Sequence, residues 1–220
     1  MFVVTYPEAG LPRTPDPATR SRILDAADRL LIGHGFRRMT VGDIAATAGI
    51  GKGSVYLHFA SKEDVALSCI DRMAAGVAAQ LEVVAATPAT ATARLRAMLR
   101  TRVLARFDYA RRHARSIDEK LAVMRQAMLE RRTTHFEREA ALLDRVVAEG
   151  RRSGEIGSAP PRPGRALVTA TNALLPYSLS VRELGHRAGL ARRTDEVVGL
   201  LLAGLDSKRR PSPPRTRRNP

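Results

Sequence analysis

Residues 40–64 read TVGDIAATAGIGKGSVYLHFASKED, and the spacing of apolar and turn-forming residues in this stretch predicts two short helices joined by a tight turn. Thr40 followed three residues later by Asp43 is a capping-box-like start, because each side chain can satisfy an orphan backbone donor at the other position. Val41, Ile44, Ala45 and Ala48 then recur at helical spacing and supply one buried face. The alanines are small where a second helix has to cross. Gly49 ends this helix, since a turn there requires the positive φ that glycine adopts at no steric cost. Ile50 is placed to plug the gap between the two helices. In the second helix, expected over 52–59, Val55 and Phe59 turn inward one turn apart. Lys52, Gly53, Ser54, Leu57 and His58 are left on the other side. A short rod braced from behind, with its outer side free, is the shape that the major groove of B-DNA admits.

Outward from this motif the pattern stays helical. Asp16-Pro17 is a helix start, with Asp as N-cap and Pro at the first position. Ile23, Ala26, Ala27, Leu30 and Leu31 follow at helical spacing, and Gly33 and Gly35 mark the stop. Ser61 is expected to cap a longer helix carrying Val65, Ala66, Ile70 and Met73. Beyond Thr87-Pro88 an amphipathic stretch contains Leu95, Met98, Leu99, Arg102, Val103 and Phe107. One or two further helices are expected over 117–125 and 126–152, and others over about 165–184 with a kink at Pro176 and over about 194–205. Between them 154–164 reads as a loop.

Composition agrees with an all-α chain. Hydrophobic residues make up 44% of the 220, enough for a core, whereas aromatics are only 4% and Trp is absent. Strands select aromatic and β-branched residues, so helices are favoured. Lys and Arg number 37 against 22 acidic residues, a formal charge of +15, which points to a polyanionic partner. The distribution is uneven. The 16–64 stretch holds seven basic and six acidic residues, 94–115 holds eight basic residues and Asp108, and 206–220 holds six basic residues and one acid. The 94–115 arginines are expected to form a solvated helix face; the alternative is a cavity wall or entrance that attracts anionic ligands.

The class of function narrows by exclusion. Cys69 is alone, so no intrachain disulfide forms. The N-terminal residues lack the pattern of a signal peptide, and the apolar run 197–205 is glycine-broken and too short to span a bilayer. No membrane association and a cytoplasmic location are therefore expected. His34, His113, His135 and His186 show no metal-binding spacing, so no metal site is expected. No phosphate loop, nucleophile elbow or carboxylate pair stands out, so neither an enzyme nor a cofactor is expected.

The 40–64 motif resembles the DNA-binding domain of the TetR/AcrR family of repressors, whose pattern runs T-x-x-x-I-A-x-x-A-G-x-x-x-G-x-x-Y-x-H-F-x-x-K-x-x-L. Thr40, Ile44, Ala45, Ala48, Gly49, Gly53, Tyr56, His58, Phe59 and Lys62 match, while Val65 stands where the family has Leu. The close resemblance covers about residues 20–70. It implies an N-terminal three-helix helix-turn-helix DNA-binding domain followed by a larger helical ligand-binding and dimerisation domain.

The expected organisation is a flexible arm (1–15), the DNA-binding domain (16–66), the regulatory and dimerisation domain (67–206) and a disordered basic tail (207–220). Candidate DNA-binding residues are Thr40, Lys52, Gly53, Ser54, Tyr56, Leu57, His58 and Lys62. Lys52, Ser54 and Leu57 are the candidates for base edges, and Thr40, Tyr56 and Lys62 for phosphates. Phe107, Met124, Met128, Phe136 and Tyr177 are candidates for an apolar ligand pocket. Leu174, Leu179, Val198, Leu201, Leu202 and Leu205 are candidates for the interface of a homodimer. The expected function is a homodimeric, sequence-specific repressor, released from near-palindromic double-stranded operator DNA by an unknown small-molecule inducer. The alternatives are a ligand-independent nucleoid-associated or architectural DNA-binding protein, and a helical protein-interaction module that binds no DNA.

Overall fold

The computed structural model describes residues 16–157, 159–175 and 185–205, without the side chains of 115–123. The arm, the basic tail, Pro176, Tyr177 and Leu179 lie outside the described residues. Among those described there are eight α-helices and no β-strand.

Local capping signals start three of the first four helices. Helix α1 (Pro17–His34) begins where Asp16 accepts from the Ala18 and Thr19 N–H groups at 3.1 and 2.9 Å, and it stops at Gly35, φ 82°. Helix α2 (Val41–Ala48) has the full capping box between Thr40 and Asp43, and it ends at Gly49 in the left-handed region, φ 65°. Helix α3 (Lys52–Tyr56) is a single short rod. Helix α4 (Lys62–Ala85) is capped by Ser61, whose side chain accepts from the Asp64 N–H. Then come α5 (Ala91–Arg112), α6 (Ala114–Arg152), α7 (Pro163–Asn172) and α8 (Arg187–Ala203). The N-terminus of α5 is closed from a distance: Glu155 accepts from the Ala91 and Thr92 N–H groups at 2.7 and 2.8 Å.

Three buried clusters organise these helices. The first joins α1, α2 and α3 to the start of α4 through Ile23, Leu31, Phe36, Ile44, Val55, Phe59 and Val65. The second joins the far half of α4 to α5, α6, α7 and α8 through Leu81, Leu95, Leu143, Leu167 and Val198. The third places Phe107 against Leu174, Leu175 and Leu190. Helix α4 belongs to two of them, with Ala66, Leu67 and Cys69 in the first and Val77, Ala78 and Leu81 in the second. The boundary expected at 66 thus falls inside a continuous helix, and Met124 of α6 also packs into the first cluster.

Several sequence expectations are corrected. Of the one or two helices expected over 117–125 and 126–152, the chain forms one, interrupted only by the non-helical backbone of Met124 (φ −120°, ψ 16°). Helix α7 ends at Asn172 instead of continuing to 184, because the Leu174 and Leu175 N–H groups bond three residues back and wind the chain into a turn. Helix α8 starts at Arg187, seven residues before the expected 194. The 94–115 arginines do not form one solvated face: Arg102 and Arg106 of α5 are buried. Both reach the carboxylate of Glu139 on α6, Arg102 at 2.6 Å. Arg102 also donates to the Thr171 hydroxyl at 2.8 Å and to the Asn172 side-chain oxygen. An ion pair with additional hydrogen bonds is the form in which a charged side chain tolerates burial.

Val198 and Leu202 are buried in the chain's own second cluster, and Leu201 and Leu205 pack partly against it. Leu174 is buried beside Phe107. Their i, i+3, i+4 spacing reports the inner face of α8. The large apolar side chain that α8 leaves in the open is Leu200, 78% exposed.

Candidate nucleic-acid interface

The turn between α2 and α3 is built from backbone geometry that side chains reinforce. The Gly49 N–H bonds the Ala46 carbonyl at 3.2 Å and the Ile50 N–H bonds Ala45 at 3.0 Å, which closes α2 as the chain reverses. Arg22 of α1 donates to the Ala48 carbonyl at 2.7 Å and holds the turn from behind. Because Gly49 is left-handed, Gly49→Ala is expected to lower stability by about 1–2 kcal/mol. Urea unfolding would read this as a lower midpoint at constant slope; an unchanged midpoint would contradict it.

Behind the rod, Val55 and Phe59 are buried, and the Arg20 guanidinium lies 4.9 Å from the Phe59 ring centroid. On its other side Lys52 and Gly53 are exposed and Ser54 is half-buried. Tyr56 is 54% exposed and Leu57 57%. A large aromatic and a leucine held in water side by side have no role in the chain's own core. The aliphatic stem of Lys52 runs back towards α2: a Cβ at Gly42 would stand 3.8 Å from Lys52 Cε and 3.6 Å from the Thr40 hydroxyl. Both are ordinary contacts, so Gly42 leaves room without being sterically required. At Gly53 a Cβ would meet nothing within 4 Å.

The remaining candidates are committed to neighbours. The Thr40 hydroxyl donates to Asp43 at 2.7 Å and accepts from the Asp43 N–H at 3.1 Å. That hydroxyl first, and the Thr40 N–H second, hold the Asp43 carboxyl below its ordinary value of 3.8. A depressed folded value means that the cap's contribution is complete above the unfolded-state value and fades as pH falls through the folded one. The Lys62 ammonium, expected at a phosphate, turns inward instead. It lies 3.3–3.5 Å from the carbonyls of Phe36, Arg37 and Met39 and 4.7 Å from the Phe36 ring centroid, clasping the α1–α2 connection. His58 is half-buried, and its Nδ1 is buried without a hydrogen-bond partner. No spacing in the sequence announced Arg22 as the brace of the turn, since its acceptors are 26 and 27 residues away.

The described ligand candidates meet in pairs: Phe136 packs against the third cluster, which holds Phe107, and Met128 against the first, which holds Met124. Met128 and Phe136 line a narrow cleft between α4, α5 and α6, together with Leu67, Ile70, Arg106 and Arg132. His113 and His135 bond Asp28 and Asp71 at 3.0 and 2.8 Å. Among the described residues no cluster of His, Cys, Asp and Glu could hold a metal, and no helix is long and apolar enough to cross a membrane.

The sequence profile of "Bacterial regulatory proteins, tetR family" matches residues 23–69, which span most of α1 through the first third of α4. The chain is 30% identical over 200 residues to the "Fatty acid metabolism regulator protein" of Bacillus subtilis, covering 85% of this chain and 95% of that protein. With the "HTH-type transcriptional regulator TtgR" of Pseudomonas putida it shares 36% identity over 63 residues, 28% of this chain. That match spans only 30% of TtgR's own length. Among solved structures, SmeT of Stenotrophomonas maltophilia in complex with triclosan superposes with a TM-score of 0.63 at 22% identity, covering 89% of this chain and 99% of SmeT.

Proposed function

From the premise that this chain belongs to the tetR family of bacterial regulatory proteins, we propose that it is a DNA-binding transcriptional regulator: a homodimeric repressor that leaves its operator on binding a small molecule. The observation that carries this reading is the outer side of α3, where Lys52, Gly53, Tyr56 and Leu57 are exposed while Val55 and Phe59 anchor the rod from behind. In the proposed complex Lys52 donates to guanine O6 or N7, Ser54 bonds a base edge and Leu57 packs on a thymine methyl. The Tyr56 hydroxyl and the outward edge of His58 reach phosphates, and Thr40 shares its capping hydroxyl with one. Gly53 admits the DNA backbone closely.

A two-fold dimer places two such rods about 34–36 Å apart, or a multiple of that, on a near-palindromic site. On α8 the residue that meets the second copy is Leu200, flanked by the partly buried Leu201 and Leu205. Release requires only that a ligand bind one rod spacing better than the other. A structural neighbour, SmeT, is known in complex with triclosan, which supports a small-molecule ligand for this chain. The pocket in this reading is the α4–α5–α6 cleft with Met128 and Phe136.

Selecting bound sequences from random DNA with purified protein tests the whole reading. The expected result is an enriched two-fold symmetric site with half-sites one turn apart. Equal retention of all sequences favours an architectural protein instead, and no retention overturns DNA binding altogether. Two lysines then separate by role. Lys52→Ala is expected to relax preference at one base pair per half-site, at a cost of about 1–3 kcal/mol on the preferred sequence. Lys62→Ala is expected to lower the unfolding midpoint by loosening the α1–α2 connection, and to weaken binding to every sequence alike. Competition on operator and random DNA distinguishes them, and equal losses after Lys52→Ala would refute its base contact.

A further inference from the structure

We infer that Arg38 holds a backbone phosphate of the operator, and that Lys62 is the positioning residue that presents it. The inference rests on the DNA-binding reading above and adds to it a contact on the connection between α1 and α2, outside the helix-turn-helix pair.

Several cations of this module are bonded back to the chain itself. Arg20 stacks on Phe59 and reaches the Ser68 hydroxyl at 3.4 Å, Arg22 donates to the Ala48 carbonyl at 2.7 Å, and Arg29 donates to the Asp25 carbonyl one turn back. Arg38 differs: it is exposed and makes no hydrogen bond or ion pair among the described residues. A planar guanidinium offers paired N–H groups that fit two oxygens of one phosphate, so an uncommitted arginine beside a duplex is a ready phosphate ligand.

The place of Arg38 on the connection decides its partner. Arg38 is exposed, Met39 is 1% exposed and packed in the first cluster, and Thr40 is exposed again. With Met39 anchored inward, the side chains on either side of it stand on the outer side. Thr40 opens α2, and Lys52 of α3 runs past that same helix start: a Cβ at Gly42 would lie 3.6 Å from the Thr40 hydroxyl and 3.8 Å from Lys52 Cε. Arg38 is two residues before Thr40, within about 7 Å along the chain, and so extends the edge that Lys52 and Thr40 begin. When α3 lies in the major groove, that edge faces the sugar–phosphate strand bordering the groove. The Asp43 carboxylate stands at the same helix start, but one of its oxygens already accepts from the Thr40 hydroxyl and N–H. The Arg38 cation offsets the charge that remains.

Lys62 fixes where that arginine stands. Its ammonium lies 3.5, 3.4 and 3.3 Å from the carbonyls of Phe36, Arg37 and Met39, which bracket residue 38 on both sides. Residues 36–38 form a turn with no helix of their own, and one cation reaching three carbonyls holds that turn in a single shape. A side chain presented from an ordered backbone reaches its partner without the ordering cost that a loose connection adds to binding. Lys62 thus acts through Arg38, from behind, and does not meet the phosphate.

The test uses the full chain, the selected operator and a random duplex, with binding measured over a salt series. Arg38→Gln is expected to weaken both duplexes about tenfold and to make the log–log salt slope shallower by about 0.9 for each bound copy. Its unfolding midpoint should not move. Arg38→Lys, which keeps the charge, is expected to keep the slope. Arg29→Gln removes the same charge from the side of α1 where Asp25 and Asp28 bond Arg72 and His113, and it is expected to leave the slope alone. Lys62→Gln is expected to lose the same increment of slope as Arg38→Gln, and the double variant to lose no more than either single one. A lysine that met phosphate itself, or that only stabilised the fold, would give additive losses instead. A wild-type slope in Arg38→Gln, or an equal loss in Arg29→Gln, overturns the phosphate contact, and additive losses overturn the role of Lys62. Arg38→Gln changes an exposed side chain, so its result stands even if Lys62→Gln fails to fold. A chain that selects its operator while Arg38→Gln changes nothing sinks this inference alone; a wild-type chain that binds neither duplex sinks the DNA-binding reading with it.

Discussion

Gly53→Glu is expected to raise the stability of the chain while lowering its affinity for operator DNA about a hundredfold. The two halves of this result have separate causes. Gly53 is the second residue of α3, exposed, with nothing within 4 Å of the place a Cβ would occupy. The fold makes no demand for glycine there, and a glycine inside a helix costs up to about 1 kcal/mol relative to a good helix former such as Glu. Unfolding in urea should therefore shift to a higher midpoint. In the proposed complex the same position faces the duplex at the point where the backbone of α3 comes nearest to it. A carboxylate there adds both bulk and a like charge against phosphate, a juxtaposition that costs several kcal/mol, of which about 3 kcal/mol would appear as the hundredfold loss. Fluorescence anisotropy with labelled operator reads the second half. A more stable protein that binds operator as before would mean that some other surface meets the DNA.

Glu139→Gln is expected to be the most destabilising isosteric change in the chain, at about 3–5 kcal/mol. Glu139 is 1% exposed, Arg102 0% and Arg106 2%, so removing the carboxylate leaves two guanidinium charges in the interior around a neutral amide. At roughly 2–4 °C per kcal/mol for a chain of this size, the thermal midpoint should fall by about 6–20 °C. The triple change of Arg102, Glu139 and Arg106 to apolar residues of similar volume separates net contribution from broken pairing. Replacing a buried ion network as a whole is often neutral or stabilising by about 1–4 kcal/mol, although here Arg102 also ties α5 to Thr171 and Asn172 of α7. A Glu139→Gln protein that melts with the wild type would show that water reaches this triad.

These two sites lie at opposite ends of what can be read from sequence. Everything around Gly53 is local: Thr40 and Asp43 are three residues apart, Gly49 closes the helix they open, and Val55 and Phe59 are one turn apart. Interactions over such short separations are visible as spacing, and for that reason the caps at Asp16, Thr40 and Ser61 stand where the pattern placed them. Glu139 meets Arg102 and Arg106 across 37 and 33 residues; the apolar stripe of α5 runs through both arginines, but nothing in it names the distant carboxylate that lets them be buried. The inward turn of Lys62 is similar, since its carbonyl acceptors lie 23 to 26 residues earlier. For α8 the obstacle was different. The stripe of Val198, Leu201, Leu202 and Leu205 was legible, but an apolar stripe has the same spacing whether it covers the chain's own core or a second copy. Phe107 and Met124 fall in separate clusters, because aromatic and methionine content indicates apolar surface without indicating which helices share it.

Helix α4 is at once the last wall of the module that bears α3 and the first wall of the helical bundle behind it. Between Cys69 and Val77 the two are therefore geared together like parts fixed to one shaft. One residue added in that interval would turn one part against the other by about 100° and lengthen the shaft by about 1.5 Å. Four added residues would come round to within about 40° of the starting angle, with one turn of extra length. Transplanting this module onto another helical domain would accordingly depend on keeping phase along α4 and on replacing the contact that Met124 of α6 makes with its core, rather than on finding a permissive loop.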